Sequence, residues 1–393
     1  MFRAIRRIVV LTVITVLSGT IGTTLAEEAN PILVKKVVEK AKRPKKIETL
    51  KIGAKAPDFD LPGVDGRRYT LKSFAKAKVL VVVFTCNHCP TAQAYEGRIN
   101  RISKDYRQSQ VALVAISPND PEAISLAELG YSDMSDSFIE MKVRAREKGF
   151  EFPYLYDGEK QKVSQAYGPR TTPHVFIFDA ERKLRYVGRI DDSEKPGTAK
   201  IHDTRNAIEA LLAEKPVPVE ETNTFGCSIK WSSKRKNVKE QLKRWAEEEV
   251  TLQSIDTANV KRLLKNDSKN LLFINFWTTW CGPCIMEFPV LVTINRMYRN
   301  RNFEMITVSM DSPDKKDDVL SFLKKYQAST KNYIHNSEDT YSFIRSVGNG
   351  WRGGVPFTIV IEPGGKILYS GGGTIVPKRM TRAIVSYLGR YYE

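Results

Sequence analysis

The 393-residue sequence predicts an α/β chain of two similar domains, each a central mixed sheet with helices on its faces. Three observations carry that reading. An apolar run breaks twice into a Cys-x-x-Cys pair, at Cys86 and Cys89 and again at Cys281 and Cys284. Each pair is followed by apolar residues at helical spacing, and each half later places a proline, Pro173 or Pro356, directly before another apolar strand. The chain is also too long for one ordinary core, while an apolar content of 41% suffices to bury two.

In chain order, Met1 to Arg7 form a basic start, followed by an apolar, threonine-rich stretch that ends Thr24-Leu25-Ala26. That pattern predicts a secretory signal over residues 1–26. An uncleaved membrane anchor is the alternative, because the stretch is close to bilayer-spanning length. Either one puts the body in the periplasm or outside the cell, where disulfides persist. Residues 27–50 read as a basic linker. Together with the cluster from Lys234 to Arg244 they supply much of the net charge of +17. Such runs are expected to be solvated, with weak attraction to a membrane surface. They lack the reading fold that a nucleic-acid partner would need.

The first domain is expected over residues 51–231. It opens with a hairpin around Asp65-Gly66, and the buried strand from Val79 to Thr85 delivers Cys86, Asn87, His88 and Cys89 to a helix. A strand at 111–116, a helix at 135–148, a strand at 152–156 and the loop Thr171-Thr172-Pro173 before His174 follow. Cys227 is left over from the two pairs. It is either a third thiol that pairs with Cys86 or Cys89 or an inert small hydrophobe. Residues 232–255 read as a linker and connecting helix with a stripe of Val238, Leu242 and Trp245, and the second domain occupies 256–393.

The chemistry follows from position. A thiol at a helix N-terminus sits among unpaired N–H groups, which lower its pKa from about 8.5 toward roughly 3.5–7.5 and favour the nucleophilic thiolate. The outer members, Cys281 and Cys86, are expected to attack a disulfide, and Cys284 and Cys89 to resolve the mixed disulfide. Glu287 lies one helical turn beyond Cys284, placed to take its proton, with a perturbed pKa. His88 can stabilise a thiolate in the first pair, whereas Gly282-Pro283 offers no such group. The second pair is therefore expected to reduce the first.

Trp280-Cys281-Gly282-Pro283-Cys284 resembles the thioredoxin active site, and Ile285 to Pro289 resembles the TlpA/ResA-like branch of that superfamily. The resemblance implies that Pro356 is cis, that Val355 and Trp280 meet substrate, and that the partners are protein thiols or disulfides with an upstream electron donor. It implies no cofactor beyond redox-active disulfides. The first half resembles the peroxiredoxin-like, AhpC/TSA and redoxin branch through residues 152–157, Ala166-Tyr167-Gly168 and Thr172-Pro173, with Pro173 again expected cis. True peroxiredoxins carry a Pro and a Thr at set distances before their cysteine; Val82-Val83-Phe84-Thr85 does not match. Thiol exchange is thus the expectation there and thiol peroxidase the alternative. A second alternative is a Sco-like copper chaperone using Cys86, Cys89 and His174, although Sco proteins resemble Cys-x-x-x-Cys-Pro rather than this spacing.

Overall fold

The computed structural model describes residues 47–390, so the expected signal and most of the basic linker lie outside the described residues. Val79–Phe84 is apolar at every position and buried throughout, which makes it a central strand. It runs parallel to Val111–Ser117 and antiparallel to His174–Phe178. Tyr154–Tyr156 and Leu184–Gly188 complete a five-stranded mixed sheet as its two edges. Side chains alternate along the central strand. Val79, Val81 and Val83 therefore meet Tyr95, Ile99 and Ile102 of helix Pro90–Asp105, while Leu80, Val82 and Phe84 pack with Phe59, Tyr167 and Phe176 on the other face.

The second domain repeats this plan. Leu271–Trp277 is the central strand, parallel to Phe303–Ser309 and antiparallel to Phe357–Ile361, with Lys331–His335 and Ile367–Gly372 beyond them. Gln253–Ile255 adds a sixth, parallel edge strand that the first sheet lacks. Helix Gly282–Tyr298 buries Phe288, Leu291 and Ile294 against one face, and Phe343, Val347 and Trp351 cover the other. Among the described residues, no helix is long and apolar enough to cross a membrane.

The expected connecting helix forms at Arg235–Ala246 and touches both domains. Arg235 pairs with Asp120 and Glu122 of the first domain. Trp245 is buried at the other end, beneath the guanidinium groups of Arg296 and Arg299 at 5.5 and 5.7 Å from its ring. The domains also meet directly. Arg301 donates to the Gly130 carbonyl at 2.7 Å, and a Cβ on Gly130 would stand 2.2 Å from the Met297 carbonyl oxygen, so only glycine permits this approach. Both sheets accordingly belong to one compact unit that begins at Ile47.

Candidate active site

The strand Leu271–Trp277 ends in a turn held by one carboxylate: Asp311 accepts from Thr279 N at 2.9 Å and Thr279 Oγ1 at 2.7 Å. The turn places Cys281 at the N-cap of helix Gly282–Tyr298, where its Sγ accepts from Cys284 N at 3.2 Å. Cys281 and Cys284 are joined as a disulfide. Across from them the Val355–Pro356 bond is cis, and the Val355 carbonyl oxygen lies 3.6 Å from Cys281 Sγ. Trp351 Nε1 donates to Gly354 O at 2.7 Å and pins that loop. Among the described residues, Val355 pairs with no strand. Trp280, 75% exposed, stands beside the thiol as an uncovered apolar surface.

Glu287 lies on the buried side of the same helix. One oxygen accepts from Ile375 N at 3.3 Å and the other has no protein partner. Burial, only partly offset by the Ile375 amide, pushes its carboxyl up to about 7.

The first site is built differently. Asp136, fully buried, accepts from the amides of Asn87 and His88 at 2.8 and 2.9 Å, from His88 Nδ1 at 2.6 Å and from Asn119 Nδ2 at 2.8 Å. Because Asp136 takes those two amides and Pro90 occupies the first helical position, helix Pro90–Asp105 starts late. Its N-cap is Cys89, whereas the second domain gives that place to the outer cysteine. The parallel expected between Cys86 and Cys281 therefore does not extend to their helices. Burial alone would raise Cys89, but hydrogen bonds from Cys227 and Cys86 and the charge of His88 bring it well below the usual thiol range. Cys86 is driven up by burial and by Cys89 and Asp136. His88 loses basicity to burial and regains more from Asp136, ending raised. Asp136 was not singled out in the sequence, where it falls in the first turn of the helix expected at 135–148.

Cys227 joins this cluster. Cys227–Ser228 forms a short antiparallel ladder with Thr171–Thr172, with Cys227 opposite Thr172, directly before the cis Thr172–Pro173 bond. Thr172 in turn lies 3.1 Å from Cys86 Sγ through Oγ1 and 3.4 Å from Cys89 Sγ through its carbonyl. All three cysteines are free thiols.

Residues 52–187 match the AhpC/TSA family, and residues 248–384 match the Redoxin family. Both halves are thioredoxin-superfamily domains. The chain is 27% identical over 125 residues to the thiol-disulfide oxidoreductase ResA of Bacillus subtilis (strain 168), which covers 31% of this chain and 64% of that protein. It is 28% identical over 127 residues to ResA of Oceanobacillus iheyensis, covering 32% and 58%. The chain thus spans about six-tenths of the length of these curated relatives. Among solved structures, an uncharacterized conserved protein from Geobacillus kaustophilus shares 37% identity, with 47% of this chain and 94% of that one covered and a TM-score of 0.42. A hypothetical protein from Sinorhizobium meliloti 1021 shares 33% identity, with 47% and 97% covered and a TM-score of 0.42.

Within the AhpC/TSA domain, the expected grouping of His174 with Cys86 and Cys89 fails. His174 is next to Val175 on a strand, so it points to the opposite face, where it packs 4.7 Å from Phe176 and accepts from Arg170 N. Burial holds it neutral, down at about 3. Among the described residues, the donor cluster with metal-like spacing is Cys86, His88 and Asp136 instead. The four hydrogen bonds that Asp136 accepts already satisfy its oxygens.

Proposed function

We propose that the chain is an extracytoplasmic thiol–disulfide oxidoreductase whose centre for protein substrates is the Cys281–Cys284 pair. The observation that carries this reading is the juxtaposition of Cys281, at a helix N-cap, with the unpaired Val355 edge 3.6 Å away. An extended substrate segment lays its backbone along that edge, which brings its disulfide beside Cys281. In the reduced pair the Cys284 amide and the helix start stabilise the Cys281 thiolate. That thiolate attacks one substrate sulfur, and the other leaves as a thiolate. Glu287 accepts the Cys284 proton, Cys284 attacks the Cys281 sulfur, and the substrate departs reduced. A carboxyl near neutrality is suited to that proton transfer.

The export signal in residues 1–26 is the sequence support for action outside the cytoplasm. The relatives named ResA support the reaction class. The first pair is a second exchange centre, the more oxidising of the two, and it receives electrons from the second. Helix Gly282–Tyr298 points its far end at the first domain, so Cys281 stands about 24 Å from that contact, at 1.5 Å rise per residue. Electrons therefore pass between the pairs through a carrier thiol or a second copy of the chain.

The test is reduction of insulin disulfides by the full chain. Cys281→Ala is expected to abolish it, and Cys284→Ala to trap a mixed disulfide on Cys281. Unchanged activity, or an adduct on Cys284 in the wild-type chain, would overturn the assignment.

A further inference from the structure

Among the described residues, the edge beside the cis-proline loop of the second domain carries no strand, whereas in the first the chain fills that edge with its own strand, Cys227–Ser228. The fit is close. Gly226 adopts φ +130, and a Cβ there would lie 2.2 Å from the Thr172 carbonyl oxygen, so a glycine is what lets the strand press against this loop. The segment is firmly held. Asn119 Oδ1 accepts from Lys230 N at 2.9 Å, Asp120 N and Gln161 Nε2 both donate to the Lys230 carbonyl, and Lys230 Nζ pairs with Glu128. No protein substrate has room to add a strand here.

Access is equally uneven. Cys86 and Cys89 are 2% and 0% exposed, while Cys227 is half-buried. Cys227 lines a cavity of about 530 Å³ between the domains, together with His88, Lys230, Met297 and Arg301. His88 Nε2 is buried without a protein partner. Among the described residues, the Arg301 guanidinium meets the carbonyls of Gly130, Leu388 and Gly389 and the Tyr131 ring rather than a carboxylate. Glu128 also lines the cavity and neutralises Lys230, so the cationic donors left around the thiol are His88 and Arg301, at a size that suits a small molecule.

We propose that Cys227 is the thiol through which the first pair exchanges with solution, and that its partner is a small carboxylate-bearing thiol of the glutathione class bound in this cavity. The proposal rests on the reading of Cys86 and Cys89 as an exchange pair. The Cys227 thiol is held up by its hydrogen bond to the Cys89 thiolate and by burial, and in the oxidised pair Cys89 carries no charge. There Cys227 gives up its proton and attacks the Cys89 sulfur. The Cys86–Cys89 bond breaks, Cys89–Cys227 forms, and Cys86, raised by burial, leaves and takes up a proton. A small thiolate in the cavity attacks the Cys227 sulfur and releases Cys89, the thiolate most stabilised by its neighbours and so a good leaving group. A second small thiolate then attacks the mixed disulfide and frees Cys227. The protein disulfide gains two electrons, and two small thiols become one small disulfide.

The experiment treats the oxidised full chain with reduced glutathione, quenches with acid, alkylates and maps every disulfide by mass spectrometry. The expected intermediates are a Cys89–Cys227 disulfide and glutathione on Cys227. Cys227→Ser is expected to slow reduction of Cys86–Cys89 by roughly 100-fold while the Cys281–Cys284 pair keeps its rate and reports that the chain is folded. Arg301→Ala is expected to slow glutathione but not the neutral 2-mercaptoethanol. Glutathione found on Cys86, or wild-type rates in Cys227→Ser, would overturn the proposal and leave the exchange pair intact. If Cys86 and Cys89 form no reducible disulfide at all, the underlying reading of the first site fails instead.

Discussion

His88 Nδ1 lies 2.6 Å from Asp136 Oδ2, both side chains are buried, and the same carboxylate takes the amides of Asn87 and His88. One acid therefore sets both the shape and the charge of the first Cys-x-x-Cys turn. With His88 held cationic, the neighbouring Cys89 thiolate is favoured, and a dithiol stabilised in its reduced form belongs to a more oxidising disulfide. His88→Ala is expected to lower the potential of the first pair by roughly 30 mV or more, a tenfold change in equilibrium, and to leave the second pair unmoved. Equilibration of each pair with glutathione, read by mapping, measures both.

The same ion pair gives a stability window. His88 is raised above its ordinary 6.5, so its contribution is complete below that value and is lost as pH rises through the folded value. Asp136 is lowered below 3.8, so its contribution is present above that value and is lost as pH falls through the folded one. Asp136→Asn is expected to destabilise most between these limits. Thermal melts of both proteins across pH check this, and a constant difference at every pH would contradict it.

Glu287 works in the opposite sense. Its folded value of about 7 exceeds the ordinary 4.5, so the ionised form is disfavoured in the fold and stability falls as pH rises between the two. Glu287→Gln removes that loss. Its melting temperature is expected to exceed wild type at about pH 8, while insulin reduction slows and its pH profile loses the limb near neutrality. A slower variant with an unchanged profile would assign Glu287 a packing role.

The repeated strand, Cys-x-x-Cys, helix and X-Pro order was readable because each element is local and its buried apolar positions recur with a fixed period. Val355 lies 74 residues from Cys281, and its place beside the thiol was legible only through the resemblance to the thioredoxin active site, not through any local pattern. Asp136 was not readable. It reaches the first Cys-x-x-Cys turn from 48 residues away, and an aspartate in the first turn of an expected helix shows no sign of burial until the fold brings four donors to it. Nor was the side of the sheet on which His174 lies, because proximity to Pro173 in sequence says nothing about the strand's alternation. The odd count of cysteines flagged Cys227, but only the ladder with Thr172 shows that it completes the first site.

Trp280 is exposed and lies beside the thiol, so its removal has little to do with folding. Trp280→Ala is expected to change stability by less than about 0.5 kcal/mol and to raise the KM for a protein disulfide several-fold. The rate with a small disulfide should stay constant, because that substrate has no surface to lay on the indole. Equal losses on both substrates would show that the ring shapes the thiol rather than the docking of a partner.

Asp133 ties the two domains together. Its oxygens lie 3.3 Å from Arg144 in its own domain and 3.0 and 3.2 Å from Arg382 and Arg390 in the other, and these three guanidinium groups outweigh burial to hold its carboxyl below the usual range. Removing Asp133 takes away the one carboxylate shared by both domains, although Arg144 keeps Glu96 and Arg382 keeps Glu147, so the cost is smaller than for a fully buried pair. Asp133→Ala is expected to loosen the docked pair of domains and to speed protease cleavage within residues 232–255, while insulin reduction at Cys281 continues. Gly130→Ala attacks the same contact by a different force, since its Cβ would meet the Met297 carbonyl at 2.2 Å, and should give the same cleavage pattern. If neither variant exposes the connection, the docking rests on Trp245 beneath Arg296 and Arg299, and Trp245→Ala becomes the substitution that separates the domains.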